Sequence, residues 1–141
     1  MKRTASAAWT GSGKDGKGTL TTQSKTLNNT QYSFTSRFEN GTGTNPEELI
    51  AAAHAGCFTM ALSFMLGGAG YEPKTLDTTA TLTLEQKDNS WTVTQIHLDV
   101  TAKISEIDAT TFNNIANNAK INCPVSRLFN TAITMNAKLI N

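Results

Sequence analysis

A run of residues without a charged side chain, from Leu49 to Gly70, constrains the fold of this chain more than any other feature. About 20 apolar residues are enough to cross a bilayer, so a membrane span is the first interpretation to test. The run is rich in alanine and glycine and contains His54, Thr59 and Ser63, and the rest of the sequence is patterned like the strands of a soluble protein. We therefore interpret it as a helix buried at the centre of a domain or at a subunit interface.

The residues that flank this run predict where the helix begins and ends. Asn45 is a suitable N-cap, Pro46 suits the first helical position, and Glu47 and Glu48 place negative charge in the first turn, where the helix dipole favours it. The glycine-rich end of the run, GGAG, predicts where the helix stops. Because so little of its surface is polar, we expect a second subunit to cover this helix in an obligate homodimer.

A second helix is predicted near the carboxyl end of the chain. Asp108 is a suitable N-cap, and apolar residues recur on one face of the segment ATTFNNIANNAK. The helix should end near Asn122, because Pro124 disfavours helical dihedrals at the residue before it, which is Cys123. After the proline, VSRLFNTA predicts a further short helix.

The remaining segments alternate with the period of β-strands. TLTTQS and QYSFTSRF are predicted strands near the amino end, and KDNSW predicts a hairpin turn between two later ones. The three later strands each have one apolar face: Leu82 and Leu84; Ile96, Leu98, Val100 and Ala102; Ile133, Met135, Ala137 and Leu139. We expect the order three strands, central helix, two strands, helical region, last strand. This order predicts a single α+β domain over residues 1–141, with mainly antiparallel sheets around a central buried helix.

Charge and cysteine content narrow the classes of function. With 12 basic and 11 acidic residues the chain has no electrostatic signature of a nucleic-acid or membrane-surface protein. The segment MKRTASAAWTG lacks the apolar stretch of a secretory signal, so we expect a cytoplasmic protein. The two cysteines are far apart in sequence and outside any CxxC pair, which predicts neither a disulfide framework nor a zinc site.

Two motifs, NPEELIAAAHAGCF and the distant NCPVSRLF, carry a resemblance that extends over the whole chain. The sequence resembles the osmotically inducible protein C (OsmC) family, whose relatives include the organic hydroperoxide resistance proteins. The resemblance implies an intertwined cytoplasmic homodimer that reduces organic hydroperoxides in stress defence, using two cysteines and a dithiol reductant and no metal or flavin cofactor. It implies that Cys57 attacks the peroxide, that Cys123 resolves the product, and that Arg37 and Glu47 form the activating pair.

The chemistry of these residue types agrees with part of this assignment. A thiol reduces a peroxide only as the thiolate, so a cation is needed near Cys57. Arg37 suits this role because guanidinium keeps its charge when partly buried, whereas a lone histidine such as His54 on an apolar helix is more often a hydrogen-bonded packing residue. In one unbroken helix Glu47 and Cys57 would lie about 15 Å apart along the axis. Either the helix bends, for which Gly56 is the candidate, or Arg37 bridges the gap, within the chain or across a subunit interface.

Two other functions stay open at this point. A small-molecule or lipid-binding module of the same fold would hold an apolar ligand between Phe58, Met60, Phe64 and Met65, and its thiols would be incidental. A metal site would use both cysteines and His54, but the sequence offers no evident fourth ligand.

Each site residue also has a purely structural interpretation. Cys57 and Cys123 can be buried and inert, which is common for free cysteine. Glu47 can act only on the helix dipole, and Arg37 can be a surface strand residue balanced by Glu39.

Overall fold

The computed structural model describes residues 1–140. Two compact units are present, one from Met1 to Leu49 and one that begins at Ile50. The expectation of a single domain stays a prediction.

The first unit contains a three-stranded antiparallel sheet in the order β1-β2-β3, followed by a short helix. The strands are β1 (Ala5–Thr10), β2 (Lys17–Thr22) and β3 (Thr30–Ser33), and the helix is α1 (Phe34–Phe38).

The predicted strand QYSFTSRF is wrong in its second half, because α1 begins after Ser33. The Ser33 side chain accepts a hydrogen bond from the Ser36 amide at 3.2 Å, and the Ser36 hydroxyl accepts one from the Ser33 amide at 2.9 Å. This capping box starts a helix where the threonine and aromatic content predicted a strand. Arg37 therefore lies on α1.

The long uncharged run forms α2 (Pro46–Gly68), as predicted. The Glu48 amide donates to Asn45 Oδ1 at 2.8 Å, which confirms the predicted N-cap. The helix is continuous past Gly56, so it does not break there. It ends in the glycine-rich segment, where Gly70 has a φ of +88°.

Only one face of α2 is buried within the chain. Its buried side chains recur every four residues: His54, Phe58, Leu62 and Leu66. On another face Met60 is 64% exposed and Phe64 is 76% exposed. By length and composition alone α2 is also long and apolar enough to cross a membrane, a test that core helices of soluble proteins pass as well. The prediction of a fully buried helix therefore holds for one face of α2 within the single chain.

The second unit is built on a sheet in the order β4-β5-β6. Its strands are β4 (Pro73–Lys87), β5 (Ser90–Ile104) and β6 (Ala132–Ile140), and between β5 and β6 lie α3 (Ala109–Asn122) and a 3₁₀ turn, Ser126–Leu128. The predicted KDNSW hairpin joins β4 to β5, with Asp88 and Asn89 both at positive φ. The β5-β6 pair is parallel, which is the exception to the mainly antiparallel prediction.

The core of the second unit lies between the helices and the inner face of β5. α3 has the predicted Asp108 N-cap, whose carboxylate accepts the Thr111 amide at 2.9 Å, and it ends at Asn122 as expected. Its buried residues join the apolar face of α2 and the predicted apolar face of β5 in one cluster: Phe112, Ala116, Ala119, Phe58, Leu62, Leu66, Leu98, Val100 and Ala102. Cys123 follows directly after α3 and belongs to the same cluster.

Candidate active site

The fold of the second unit brings the two cysteines together from positions 66 residues apart. Cys57 lies in the middle of α2, and Cys123 is the C-cap of α3. Their Sγ atoms are 2.7 Å apart, and both are free thiols. Cys123 is fully buried, whereas Cys57 is partly exposed. A short shift of either side chain would bring the sulfurs to bonding distance.

The surroundings of Cys57 within its own unit do not favour the thiolate. Burial raises the pKa of the Cys57 thiol, and the hydrogen bond with Cys123 raises it further. The backbone N–H of Val125 donates to the Cys57 sulfur and partly opposes these effects. A reactive Cys57 therefore needs an additional positive charge to lower its pKa.

Arg37 and Glu47 form a tight ion pair in the first unit. Arg37 Nε lies 3.0 and 3.1 Å from the two carboxylate oxygens, and its Nη2 lies 2.6 Å from Oε1. The Glu47 side chain is only 15% exposed and the Arg37 side chain 38%. A bidentate pair of this kind fixes the orientation of the guanidinium. The alternative partner for Arg37, Glu39 on a shared strand, is wrong because Arg37 lies on a helix and bonds to Glu47.

His54 is the remaining functional candidate of the sequence, and the structure places it in the core. Its side chain is fully buried, and Nε2 lies 2.8 Å from the Ser126 hydroxyl. Its ring also packs against Phe129, with the centroids 5.4 Å apart. Burial lowers the pKa of His54, which favours the neutral ring and makes His54 a poor candidate for the cation that activates Cys57.

Ser126 and Val125 are functional candidates that the sequence reasoning did not single out. Both belong to the turn after Cys123, where Ser126 bonds to His54 and Val125 contacts the Cys57 sulfur. Val125 and Ser126 lie two and three residues after Cys123, and this proximity was the only sequence signal of a role for them. A hydroxyl and a backbone amide form no recognisable sequence motif.

The two alternative functions find less support. Phe58 lies in the core, so it does not share a pocket with Met60 and Phe64, which line an open surface depression together. Among residues 1–140 no group of three or more His, Cys, Asp or Glu side chains is placed to hold a metal ion.

Comparisons with known proteins agree with this arrangement. Residues 39–138 match the family model of the OsmC-like protein. The chain is 49% identical to Peroxiredoxin OsmC of Escherichia coli (strain K12) over 133 residues, which cover 94% of this chain and 93% of that protein.

Solved structures show the same fold at lower identity. An OsmC-like protein from Mycoplasma pneumoniae has a TM-score of 0.79 at 14% identity, covering 100% of this chain and 99% of that one. The organic hydroperoxide resistance protein OhrB of Bacillus subtilis has a TM-score of 0.69 at 22% identity, covering 97% and 98%. The chain belongs to the OsmC-like family.

Proposed function

We propose that this chain is a cysteine-based peroxidase that reduces organic hydroperoxides to alcohols. The observation that carries the proposal is the 2.7 Å approach of two free thiols from distant parts of the sequence. The similarity to a peroxiredoxin at 49% identity over nearly the whole chain supports the same chemistry. A core with two inert cysteines has no need to place their sulfurs in contact beside a partly exposed position.

The unequal exposure of the thiols supports the roles that we propose for them. Cys57 is accessible and attacks the outer oxygen of ROOH; its thiolate gains that oxygen, the O–O bond breaks, and the alkoxide takes a proton to leave as ROH. Buried Cys123 then attacks the Cys57 sulfenic sulfur, the S–O bond breaks, and the oxygen leaves as water. An external dithiol reduces the resulting disulfide and is itself oxidised, which restores both thiols.

Activation of Cys57 is the role we assign to Arg37 and Glu47. The pKa of Cys57 is raised by its own surroundings, and a held guanidinium is the group that would lower it. Glu47 and Cys57 are ten positions apart on the unbroken α2, about 15 Å along the axis. We therefore assign the ion pair of one subunit to the Cys57 of its partner.

The exposed face of α2 supports the homodimer that this assignment requires. Met60 and Phe64 are large apolar side chains left open in the single chain, and small residues, Ala52, Ala53 and Gly56, share the exposed surface. Small residues permit the close approach of a second helix, and large apolar ones favour its burial. The occupant we propose is a second copy of this chain, in the cytoplasm, where a dithiol reductant is available.

The apolar surroundings of Cys57 favour substrates with a hydrocarbon tail. Each methylene that the substrate buries contributes about 0.8 kcal/mol. Hydrogen peroxide has no such group to bury. Organic hydroperoxides are therefore the proposed substrates in oxidative and osmotic stress.

The direct test is peroxide consumption with and without added dithiol, run with several reductants. We expect cumene hydroperoxide to disappear catalytically only when a dithiol is supplied. Binding of the hydroperoxide without turnover, in the presence of every dithiol, would favour the small-molecule-binding module instead.

A further inference from the structure

The hydrogen bond between His54 and Ser126 has no part in the chemistry described so far, yet it joins the two segments that carry the cysteines. His54 lies one turn before Cys57 on α2, and Ser126 lies three residues after Cys123. Both side chains are buried: His54 is fully buried, and Ser126 is only 7% exposed.

The burial of His54 has a cost that an apolar residue would avoid. Its Nδ1 has no hydrogen-bond partner among the described residues, although it is shielded from water. A buried polar atom without a partner destabilises the folded state. Leucine or methionine would fill such a site without this penalty. Besides its packing against Phe129, the imidazole adds the hydrogen bond from Nε2 to Ser126.

The turn after α3 connects the residue that bonds to His54 with Cys123. The Arg127 amide donates to the Cys123 carbonyl at 3.1 Å, which closes the turn that contains Ser126. On the other side, the Cys123 amide donates to the Ala119 carbonyl at 2.9 Å and continues α3. Cys123 is thus held by α3 before it and by the His54-anchored turn after it.

Two other contacts between this turn and α2 end on the reacting sulfur. They are the Cys123 thiol contact and the Val125 N–H bond, and each meets Cys57 Sγ. When that sulfur gains an oxygen, both contacts must change. The His54–Ser126 bond involves neither sulfur and persists through this step.

We propose that His54 and Ser126 are positioning residues that keep Cys123 against α2 while Cys57 is a sulfenic acid, and so set the rate of disulfide closure. The inference rests on the peroxidase cycle proposed above and concerns only its second step. Attack on the peroxide should not depend on the pair. Closure, and with it protection of the sulfenic acid from further oxidation, should depend on it.

The test resolves the two steps in time. Reduced protein is mixed with one equivalent of cumene hydroperoxide, quenched with a thiol-alkylating reagent at intervals, and its sulfenic, sulfinic and disulfide forms are measured by intact-mass spectrometry. We expect Ser126→Ala to form sulfenic acid at the wild-type rate and to close the disulfide about fivefold more slowly, the factor that an ordinary hydrogen bond controls. In excess peroxide the same variant should accumulate more sulfinic acid.

Thr59→Val is the matched control. Thr59 is also on α2, and its hydroxyl lies 2.8 Å from that of Thr78 on β4, so this variant likewise loses a partly buried hydroxyl contact without touching the Cys123 turn. Melting temperatures of both variants show whether their losses of stability are comparable. Thr59→Val should close at the wild-type rate.

Substitution of His54 tests the other partner of the hydrogen bond. His54→Gln keeps an N–H donor near the position of Nε2 and should close faster than His54→Met, which has none. The inference is overturned if Ser126→Ala closes as fast as wild type, if Thr59→Val is slowed equally, or if the glutamine variant closes no faster than the methionine variant. A wild type that forms neither sulfenic acid nor disulfide with the peroxide would instead overturn the proposed peroxidase function.

Discussion

The exposed face of α2 gives the most quantitative prediction for the assembly. Phe64 is 76% exposed in the single chain, and burial of a phenylalanine side chain contributes up to about 3 kcal/mol. Covering the exposed part would therefore contribute about 2 kcal/mol per copy. In a twofold-symmetric dimer both copies lose the interaction, so Phe64→Ala should cost about 4 kcal/mol of dimerisation free energy. This corresponds to a dimer dissociation constant that is raised about a thousandfold.

Sedimentation equilibrium over a range of protein concentrations measures that constant. Ile121→Ala is the control, because Ile121 on α3 is 63% exposed and its truncation removes a similar apolar area from a different helix. Peroxide turnover per subunit should also become dependent on protein concentration in Phe64→Ala, since the Arg37–Glu47 pair is assigned to the partner's Cys57. A Phe64→Ala protein that stays as dimeric as wild type would refute the reasoning, as would equal weakening by Ile121→Ala.

Three further predictions concern the site. Arg37→Ala and Glu47→Ala should both slow peroxide reduction, while circular dichroism should show that the fold is intact. Arg37→Ala should slow the reduction more, because it removes the positive charge itself. This idea fails if the pH dependence of Cys57 alkylation is the same in Arg37→Ala as in wild type. The second-order rate constant should be higher for cumene or tert-butyl hydroperoxide than for hydrogen peroxide in stopped-flow assays, and equal constants would argue against apolar recognition. Burial lowers the pKa of His54 below its unfolded value of 6.5, so the unfolded chain binds more protons than the folded chain as the pH falls through that value. The urea concentration at the unfolding midpoint should therefore decrease when the pH is lowered below about 6.5. In His54→Gln this part of the pH dependence should be missing, and an unchanged profile would show that other groups cause it.

Local signals in the sequence predicted much of the fold correctly. The Asn45 and Asp108 caps, the glycine-rich stop of α2 and the end of α3 before Pro124 each depend on residues close in sequence, and the structure has all of them. The strand predicted through Arg37 failed because a capping box between Ser33 and Ser36 overrides β-propensity at that point.

The site was less predictable because its contacts are distant in sequence. The pairing of Cys57 with Cys123 came from family resemblance, since no periodicity relates positions on α2 and after α3. The partner of His54 was hidden for the same reason, as Ser126 is 72 residues away. The parallel pairing of β5 with β6 likewise depends on the crossover through α3, which strand patterns alone do not reveal.

Intact-mass spectrometry of the two cysteine variants tests the central claim most directly. One equivalent of organic hydroperoxide should convert the wild type to a disulfide with the loss of two hydrogens. Cys123→Ser should gain one oxygen and stop, and Cys57→Ser should not react, because serine stays protonated and is a poor nucleophile. Gain of the oxygen by Cys57→Ser would reverse the assigned roles. A wild-type mass unchanged by the peroxide would show that the two thiols are packing residues and would contradict the peroxidase account.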